Sequence, residues 1–259
     1  KFKNMILRRL GNKQKIAEEI QKHFPQHNCY VEPFFGAGGM FFNKPKANYN
    51  IVNDLDSNVF NLFQVVINQK EDLVNCFKTM PVHKDLLSYW NENKETEPIK
   101  KALRFLLLSN FTYLGKGSTL SYLTSDAENT ILKNINLTQK KLYGCRFNND
   151  DFKVFLNSLS FRGREKDAQN TLIYCDPPYL GTYDNYSNSF TEEQSKELFD
   201  TLEETGCKFA MSEFDNAFIL EQAKKRNLNV IIIGERQNLK NRRTEILVTN
   251  YSNSQQSLF

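Results

Sequence analysis

The sequence predicts an α/β protein whose sheet carries helices on both faces, with a mainly helical insert in the middle of the chain. Three observations predict it. Short apolar strand runs alternate with helical patterns in the first and last thirds of the chain, which implies a largely parallel sheet. The first strand run leads into Gly36-Ala37-Gly38-Gly39, and such a turn at the carboxyl end of a strand is how α/β sheets build ligand crevices. Between residues 68 and 149 the strand signal lapses and helical spacing takes over.

Ile16, Ala17, Ile20 and Phe24 recur at helical spacing, so an amphipathic helix is expected over residues 12–23, stopped near Pro25. Residues 29–35 read as the strand before the glycine turn, and a hydrophobic helix start follows it. A second strand is expected over 49–52 and a helix over 57–67, with Asn53-Asp54 at the join. In the insert, Ile99 to Leu108 is the clearest helix, while residues 94–98 and 115–119 read as a loop and an exposed turn. Strand character returns over 171–175 and ends in Asp176-Pro177-Pro178-Tyr179. Thr191 with Gln194 three residues on is a capping-box start for a helix that places Leu198, Phe199 and Leu202 on one side. Strands over 208–211, 230–233 and 246–249 complete the pattern. The expected domains are therefore a catalytic domain of residues 1–67 and 150–259 and an insert of residues 68–149.

The 259 residues are 40% hydrophobic and 25% charged, enough for a core that needs no covalent staples. No apolar run approaches the roughly 20 residues of a membrane span, and no long apolar stretch follows the basic residues of the first ten, so a cytoplasmic location is expected. Cys29, Cys76, Cys145, Cys175 and Cys207 are odd in number and contain no Cys-x-x-Cys pair, which points to reduced thiols. His23, His27 and His83 form no metal-ligand spacing, and Pro25 breaks the one close pair, so no metal is expected. The net charge of +4 is compatible with a polyanionic partner.

Glu32-Pro33-Phe34-Phe35-Gly36-Ala37-Gly38-Gly39 lacks the lysine and hydroxyl residue of a triphosphate-binding loop. Its glycines allow close backbone approach to a ligand; a tight turn without a ligand is the alternative. Asp54, after the next strand, is placed to accept the ribose hydroxyls of an adenosine-containing cofactor, or else to cap a helix. Asp176-Pro177-Pro178-Tyr179 is the most specific signal. Asp176 offers a carboxylate, and Pro177 a carbonyl, to the two hydrogens of an aromatic amino group. The paired prolines stiffen the backbone and add no competing N–H. Tyr179 supplies a ring on which a base can stack.

Together these residues resemble the motifs of Dam-type (D12 class, alpha-group) DNA N6-adenine methyltransferases. The likeness runs in one order over most of the chain. Gly11-Asn12-Lys13 resembles the family's leading cofactor motif, although the usual aromatic and second glycine around the lysine are absent. Val31 to Gly39 resembles the glycine motif and Asn53-Asp54 the ribose-binding acid. Phe147 with Asp151-Phe152 resembles the segment near the cofactor adenine. Asp176 to Tyr179 matches the catalytic motif unchanged, Phe190-Thr191 and Gln194 resemble the helix after it, and Met211-Ser212 and Glu245 to Tyr251 resemble the closing strands. In the insert, GATC-reading members carry an asparagine-glycine-hydrophobic-tyrosine-arginine segment. Asn110 to Gly117 lacks the arginine, so the resemblance does not imply a GATC target.

The resemblance implies a Rossmann-like methyltransferase fold with S-adenosyl-L-methionine held by Gly11, Lys13, Glu32, Pro33, Phe34, Gly36, Gly38, Asp54, Asp151, Phe152 and Asp176. It implies that Asp176, Pro177, Pro178 and Tyr179 receive an adenine flipped out of double-stranded DNA, with direct methyl transfer to N6. Cys175 lies inside the apolar strand with no proline after it, so it reads as a buried thiol and not as the nucleophile of a cytosine-C5 enzyme. Lys116, Ser118 and Thr119 in the insert, Tyr186 after the catalytic motif, and Arg236, Lys240, Arg242 and Arg243 before the last strand are candidate DNA contacts. Gln255-Gln256-Ser257-Leu258-Phe259 is similar to the peptides that bind the bacterial sliding clamp, two apolar anchors suiting a hydrophobic groove; a frayed polar terminus is the alternative. The rival functions are an amino-methyltransferase of RNA or of another planar amino group, and a silent nucleic-acid-binding relative.

Overall fold

The structure, a computed structural model, describes residues 5–8, 11–112, 125–159, 164–181, 190–237 and 242–252, without the side chains of residues 125–127, 236, 237 and 242. In chain order the elements are α1 (Ala17–Gln21), β1 (Cys29–Glu32), β2 (Tyr49–Asn53), α2 (Ser57–Asn68), α3 (Lys70–Thr79), α4 (Lys84–Glu92), α5 (Pro98–Phe111), α6 (Ser125–Leu142), β3 (Arg146–Asn148), α7 (Phe152–Ser158), α8 (Glu165–Gln169), β4 (Thr171–Cys175), α9 (Glu192–Glu204), β5 (Lys208–Phe214), α10 (Ala217–Lys225), β6 (Asn229–Gln237) and β7 (Arg242–Thr249). The strands form a seven-stranded sheet in the order β3-β2-β1-β4-β5-β7-β6. The chain divides into two compact units, one of Lys1–Gln14, Gly36–Asn43 and Asp54–Asn149, the other of Lys15–Phe35, Lys44–Asn53 and Asp150–Phe259.

The second unit holds Asp176-Pro177-Pro178-Tyr179. Parallel pairing aligns Cys29 with Tyr49 and with Thr171, and Leu172 with Lys208. Strand β4 is buried along its whole length, as a strand covered on both faces must be. Val31, Ile173, Cys175, Phe209 and Met211 of the sheet pack with Phe155 and Leu156 of α7 and with Leu198, Phe199 and Leu202 of α9. Fully burying one such leucine or phenylalanine contributes on the order of 2 kcal/mol. The start of α9 is the capping box read from the sequence. The Thr191 side chain accepts from the Gln194 amide at 3.2 Å, and the Gln194 side chain accepts from the Thr191 amide at 3.0 Å. Replacing Thr191 with alanine is expected to lower unfolding stability by about 1 kcal/mol in a denaturant titration.

The first unit is helical around α2, whose Val59, Leu62, Phe63, Val65 and Val66 are buried. Phe63 stacks with Phe42 and Phe147 at centroid distances of 6.1 and 5.7 Å. Asp56 caps α2 by accepting from the Asn58 amide. Glu97 caps α5, with Pro98 in the first turn where a missing N–H costs nothing. Asn110 ties α5 to the N-terminal segment by donating to the Ile6 carbonyl at 2.7 Å.

The sheet is largely parallel, as expected, except that β7 runs antiparallel to both β5 and β6, because the few residues between Gln237 and Arg242 are too short for the crossover that a parallel pair needs. Two expectations are corrected. The helix expected over 12–23 is a 3-10 turn at Lys13–Lys15 followed by the five-residue α1. The chain after the glycine turn makes only a 3-10 turn at Phe41–Asn43. No helix among the described residues is long and apolar enough to cross a membrane.

Candidate active site

Strands β1, β4 and β5 are parallel, so their carboxyl ends share one edge of the sheet, and antiparallel β7 brings its amino-terminal part to the same edge. That topology collects acids. Glu32 ends β1, Asp176 follows β4, Glu213 is the penultimate residue of β5, and Glu245 pairs in register with Phe214. Glu32, Glu213 and Glu245 are 2%, 1% and 1% exposed, which is unusual for ionisable groups unless they are hydrogen-bonded. Glu32 accepts from the Tyr30 hydroxyl at 3.2 Å. Glu213 accepts from the amides of Phe214 at 2.8 Å and Leu180 at 3.3 Å. Glu245 accepts from the Tyr179 hydroxyl.

Asp176 is half-buried and Pro177 buried. Tyr179 is 7% exposed, and its ring meets Phe214 edge to face with centroids 4.7 Å apart. Burial, then the charge of Asp176 and that of Glu245, push the Tyr179 phenol well above its usual range. Tyr174, whose hydroxyl lies 2.9 Å from that of Ser212, is pushed up by burial and then by Asp176. Both phenols therefore stay protonated at working pH.

Cys175 is fully buried, and burial followed by the charge of Asp176 pushes its thiol well above the usual range. A thiol in that state is a poor nucleophile. Cys175→Ala is expected to leave the methyl transfer that the resemblance implies within about threefold of wild type while costing roughly 1 kcal/mol of stability for the lost packing. Single-turnover assays and unfolding titrations measure the two effects.

Phe34 and Phe152 of this unit form an aromatic trio with Phe190, the centroids lying 5.7 to 6.1 Å apart. Asp151, expected beside the cofactor, is an exposed cap of α7 that accepts from the Lys153 amide at 2.9 Å. Asn53 was legible only as the neighbour of Asp54. Its side chain donates to the carbonyls of Pro33 at 3.0 Å and Asp150 at 2.9 Å, and accepts from the Asp150 amide at 2.9 Å. It thus fixes the backbone just after β1 and just before α7.

The glycine turn belongs to the other unit, with Asp54. The Asp54 carboxylate accepts from the Gly36 amide at 2.6 Å and from the Asp56 amide at 2.9 Å. It holds the loop, and the helix cap is Asp56. Gly36 and Gly38 have φ of +54° and +74°, a region that side chains disfavour. A Cβ at Gly36 would meet nothing within 4 Å, whereas one at Gly39 would collide with the Asn12 side chain and lie 3.0 Å from the Lys13 amide nitrogen. Gly39 therefore lets the Gly11-Asn12-Lys13 segment close against the turn. Lys13 is 3% exposed, with its ammonium 3.4 Å from the Gly11 carbonyl oxygen.

Lys116, Ser118, Thr119, Tyr186, Lys240 and the 255–259 tail lie outside the described residues. Arg236 and Arg242 lie on strands β6 and β7, in register with Arg243 and Gln237 respectively, and not on a free loop. The Arg243 guanidinium sits 5.3 Å from the centre of the Phe214 ring. Glu213 and Glu245 were not singled out as site residues, although acids inside otherwise apolar strands were a visible signal. Among the described residues no cluster of histidine, cysteine and acidic side chains could hold a metal.

Comparison with known proteins bears on this geometry. The family model for D12 class N6 adenine-specific DNA methyltransferases matches residues 10–239. The DNA adenine methylase of Escherichia coli K12 is 27% identical over 248 residues, spanning 87% of this chain and 86% of that one. The DNA adenine methylase of Serratia marcescens is 28% identical over 208 residues, spanning 73% and 75%. Among solved structures, an rRNA methyltransferase from Streptomyces viridochromogenes aligns with a TM-score of 0.38 at 10% identity, over 90% of this chain and 82% of its own, a likeness too distant to bear on function.

Proposed function

The chain belongs to the D12 class N6 adenine-specific DNA methyltransferases, and from that premise we propose how its residues divide the work. The enzyme methylates adenine in DNA and uses S-adenosyl-L-methionine. The observation that carries the assignment of roles is the acid-lined sheet edge with Asp176-Pro177-Pro178-Tyr179 at the end of its buried central strand.

The residues present suit that cofactor. In one unit, the glycine turn with an acid bonded to the Gly36 amide suits a ribose; in the other, the aromatic trio including Phe34 and Phe152 suits a flat base. A carboxylate has about four lone-pair sites, so Asp54 can take two loop amides and still serve a diol. Gly11, Lys13, Glu32, Pro33, Gly38 and Asp151 complete the proposed binding set. When bound, S-adenosyl-L-methionine supplies an electrophilic methyl group on a sulfonium.

Adenine N6 cannot be approached in line while the base is stacked, so the proposal includes base flipping. Asp176 and the Pro177 carbonyl accept the two N6 hydrogens and draw the nitrogen toward a tetrahedral, nucleophilic geometry. Asp176 is placed to take the proton that N6 sheds. Tyr179 offers the ring against which the base rests, and Pro177-Pro178 keep the carbonyl from turning away. We assign residues 68–149 to target recognition, with Lys116, Ser118, Thr119, Tyr186, Arg236, Lys240, Arg242 and Arg243 as DNA contacts, and the 255–259 peptide to the sliding clamp. These last assignments rest on charge and sequence pattern. Action on the chromosome fits a cytoplasmic enzyme.

The test is methyl transfer from labelled S-adenosyl-L-methionine to duplex DNA, RNA and protein offered together, followed by nucleoside mass spectrometry. N6-methyladenine in the DNA fraction is the expected product. Label confined to RNA or protein would overturn the substrate assignment, and cofactor binding without transfer would mark a silent relative.

A further inference from the structure

We infer that Glu245, on the closing strand β7, is a positioning residue that sets the plane of the Tyr179 ring for the incoming base. The inference rests on the reading of Tyr179 as the stacking surface. Tyr179 stands at the end of the catalytic tetrapeptide, beyond the last residue of β4, where the sheet ladder no longer holds the backbone. Two buried carboxylates from neighbouring strands hold it instead. Glu245 accepts from the Tyr179 hydroxyl, and Glu213 accepts from the next amide, Leu180, at 3.3 Å. Phe214, in register with Glu245, packs edge to face against the Tyr179 ring at 4.7 Å. The ring is thus fixed at its hydroxyl end, its backbone and its side.

A phenol-to-carboxylate hydrogen bond is charge-assisted and strengthens away from water. Glu245 is 1% and Tyr179 7% exposed, so this one is shielded. Burial and the nearby carboxylates keep the phenol protonated and able to donate. A tyrosine costs little to order because only two torsions are fixed, and the hydroxyl anchor removes most of the rocking that remains. The sequence holds the same logic: Glu245 and Tyr179 lie in separate motifs, and a phenylalanine at 179 would stack equally well but leave Glu245 without its donor.

Single-turnover transfer at saturating cofactor and DNA, with the wild type, Tyr179→Phe, Glu245→Gln, Glu245→Leu and Tyr179→Phe/Glu245→Leu, tests this. Tyr179→Phe and Glu245→Leu should each lower the rate about tenfold, one charge-assisted hydrogen bond's worth. The double variant should be no slower than the slower single one, since both remove the same bond. Glu245→Gln keeps an acceptor and should retain at least about a third of the rate. Cofactor Kd should stay within about twofold throughout. Multiplicative losses in the double variant, or an unchanged rate in Tyr179→Phe, would overturn the inference. If Glu245→Leu does not fold, Tyr179→Phe and Glu245→Gln decide alone. Absence of transfer by the wild type would instead sink the functional reading itself.

Discussion

Replacing Asp176 with alanine is expected to lower the single-turnover rate of methyl transfer by about a thousandfold or more, roughly 4 kcal/mol of barrier, while cofactor affinity changes by less than about tenfold. The asymmetry follows from where the residue stands. Asp176 lies one residue beyond the buried strand β4, at the edge where Glu32, Glu213 and Glu245 are already committed to Tyr30, to two amides and to Tyr179. On the proposed roles, loss of the carboxylate removes both the acceptor that orients N6 and the group that takes its proton, interactions that strengthen as the methyl moves. Asp176→Asn keeps an acceptor but loses the charge and the basicity, so it should fall within about tenfold of the alanine variant. A loss shared equally between rate and cofactor binding would mean that Asp176 mainly holds the cofactor.

The second large effect is expected on binding. Asp54→Ala should raise the cofactor Kd about a hundredfold, measured by calorimetry, with much smaller change in the rate at saturation. The Asp54 carboxylate takes the Gly36 amide at 2.6 Å and the Asp56 amide at 2.9 Å. Hydrogen bonds to a charged group contribute about 1.5–3 kcal/mol when shielded, and less at a half-exposed site. Its removal frees the glycine turn and also takes away the proposed ribose acceptor. Asp54→Asn should recover part of the affinity, since its side-chain oxygen can still accept from one amide. A rate defect at saturating cofactor, with Kd unchanged, would move Asp54 out of the cofactor site.

Much of this architecture was legible in the sequence, for reasons that differ by element. Strand β4 declared itself because a buried central strand is a continuous apolar run, and its end was marked by two prolines that cannot continue a ladder. The start of α9 was legible because a capping box is a local signal. The direction of β7 was not, since strand pairing is set by connection length and partner and not by the residues of the strand itself. The helix over 12–23 failed because the Gly11-Asn12-Lys13 segment packs on the backbone at Gly39, a tertiary contact that overrides local spacing.

The site divides in the same way. Asp176 to Tyr179 and the glycine turn stood out by residue type and order, and the structure puts each after a strand, β4 and β1. The role of Asp54 was half legible: its place after β2 suggested a ligand acid, but its grip on the Gly36 amide depends on contact across eighteen residues. Asp151, proposed as a cofactor residue, also caps α7, a local role that its place before Phe152 made visible. Glu213 and Glu245 went unread because their partners, Leu180 and Tyr179, lie 33 and 66 residues away. An acid inside an apolar strand announces that it is bonded, yet gives no hint to what.

The most direct measurement is to express the wild type and Asp176→Ala in a host free of adenine methylation and to map modified bases across its DNA at single-nucleotide resolution. The expected result is N6-methyladenine in one recurring sequence context with the wild type and none with Asp176→Ala. Methylation of cytosine, or N6-methyladenine that persists at wild-type levels in Asp176→Ala, would contradict it.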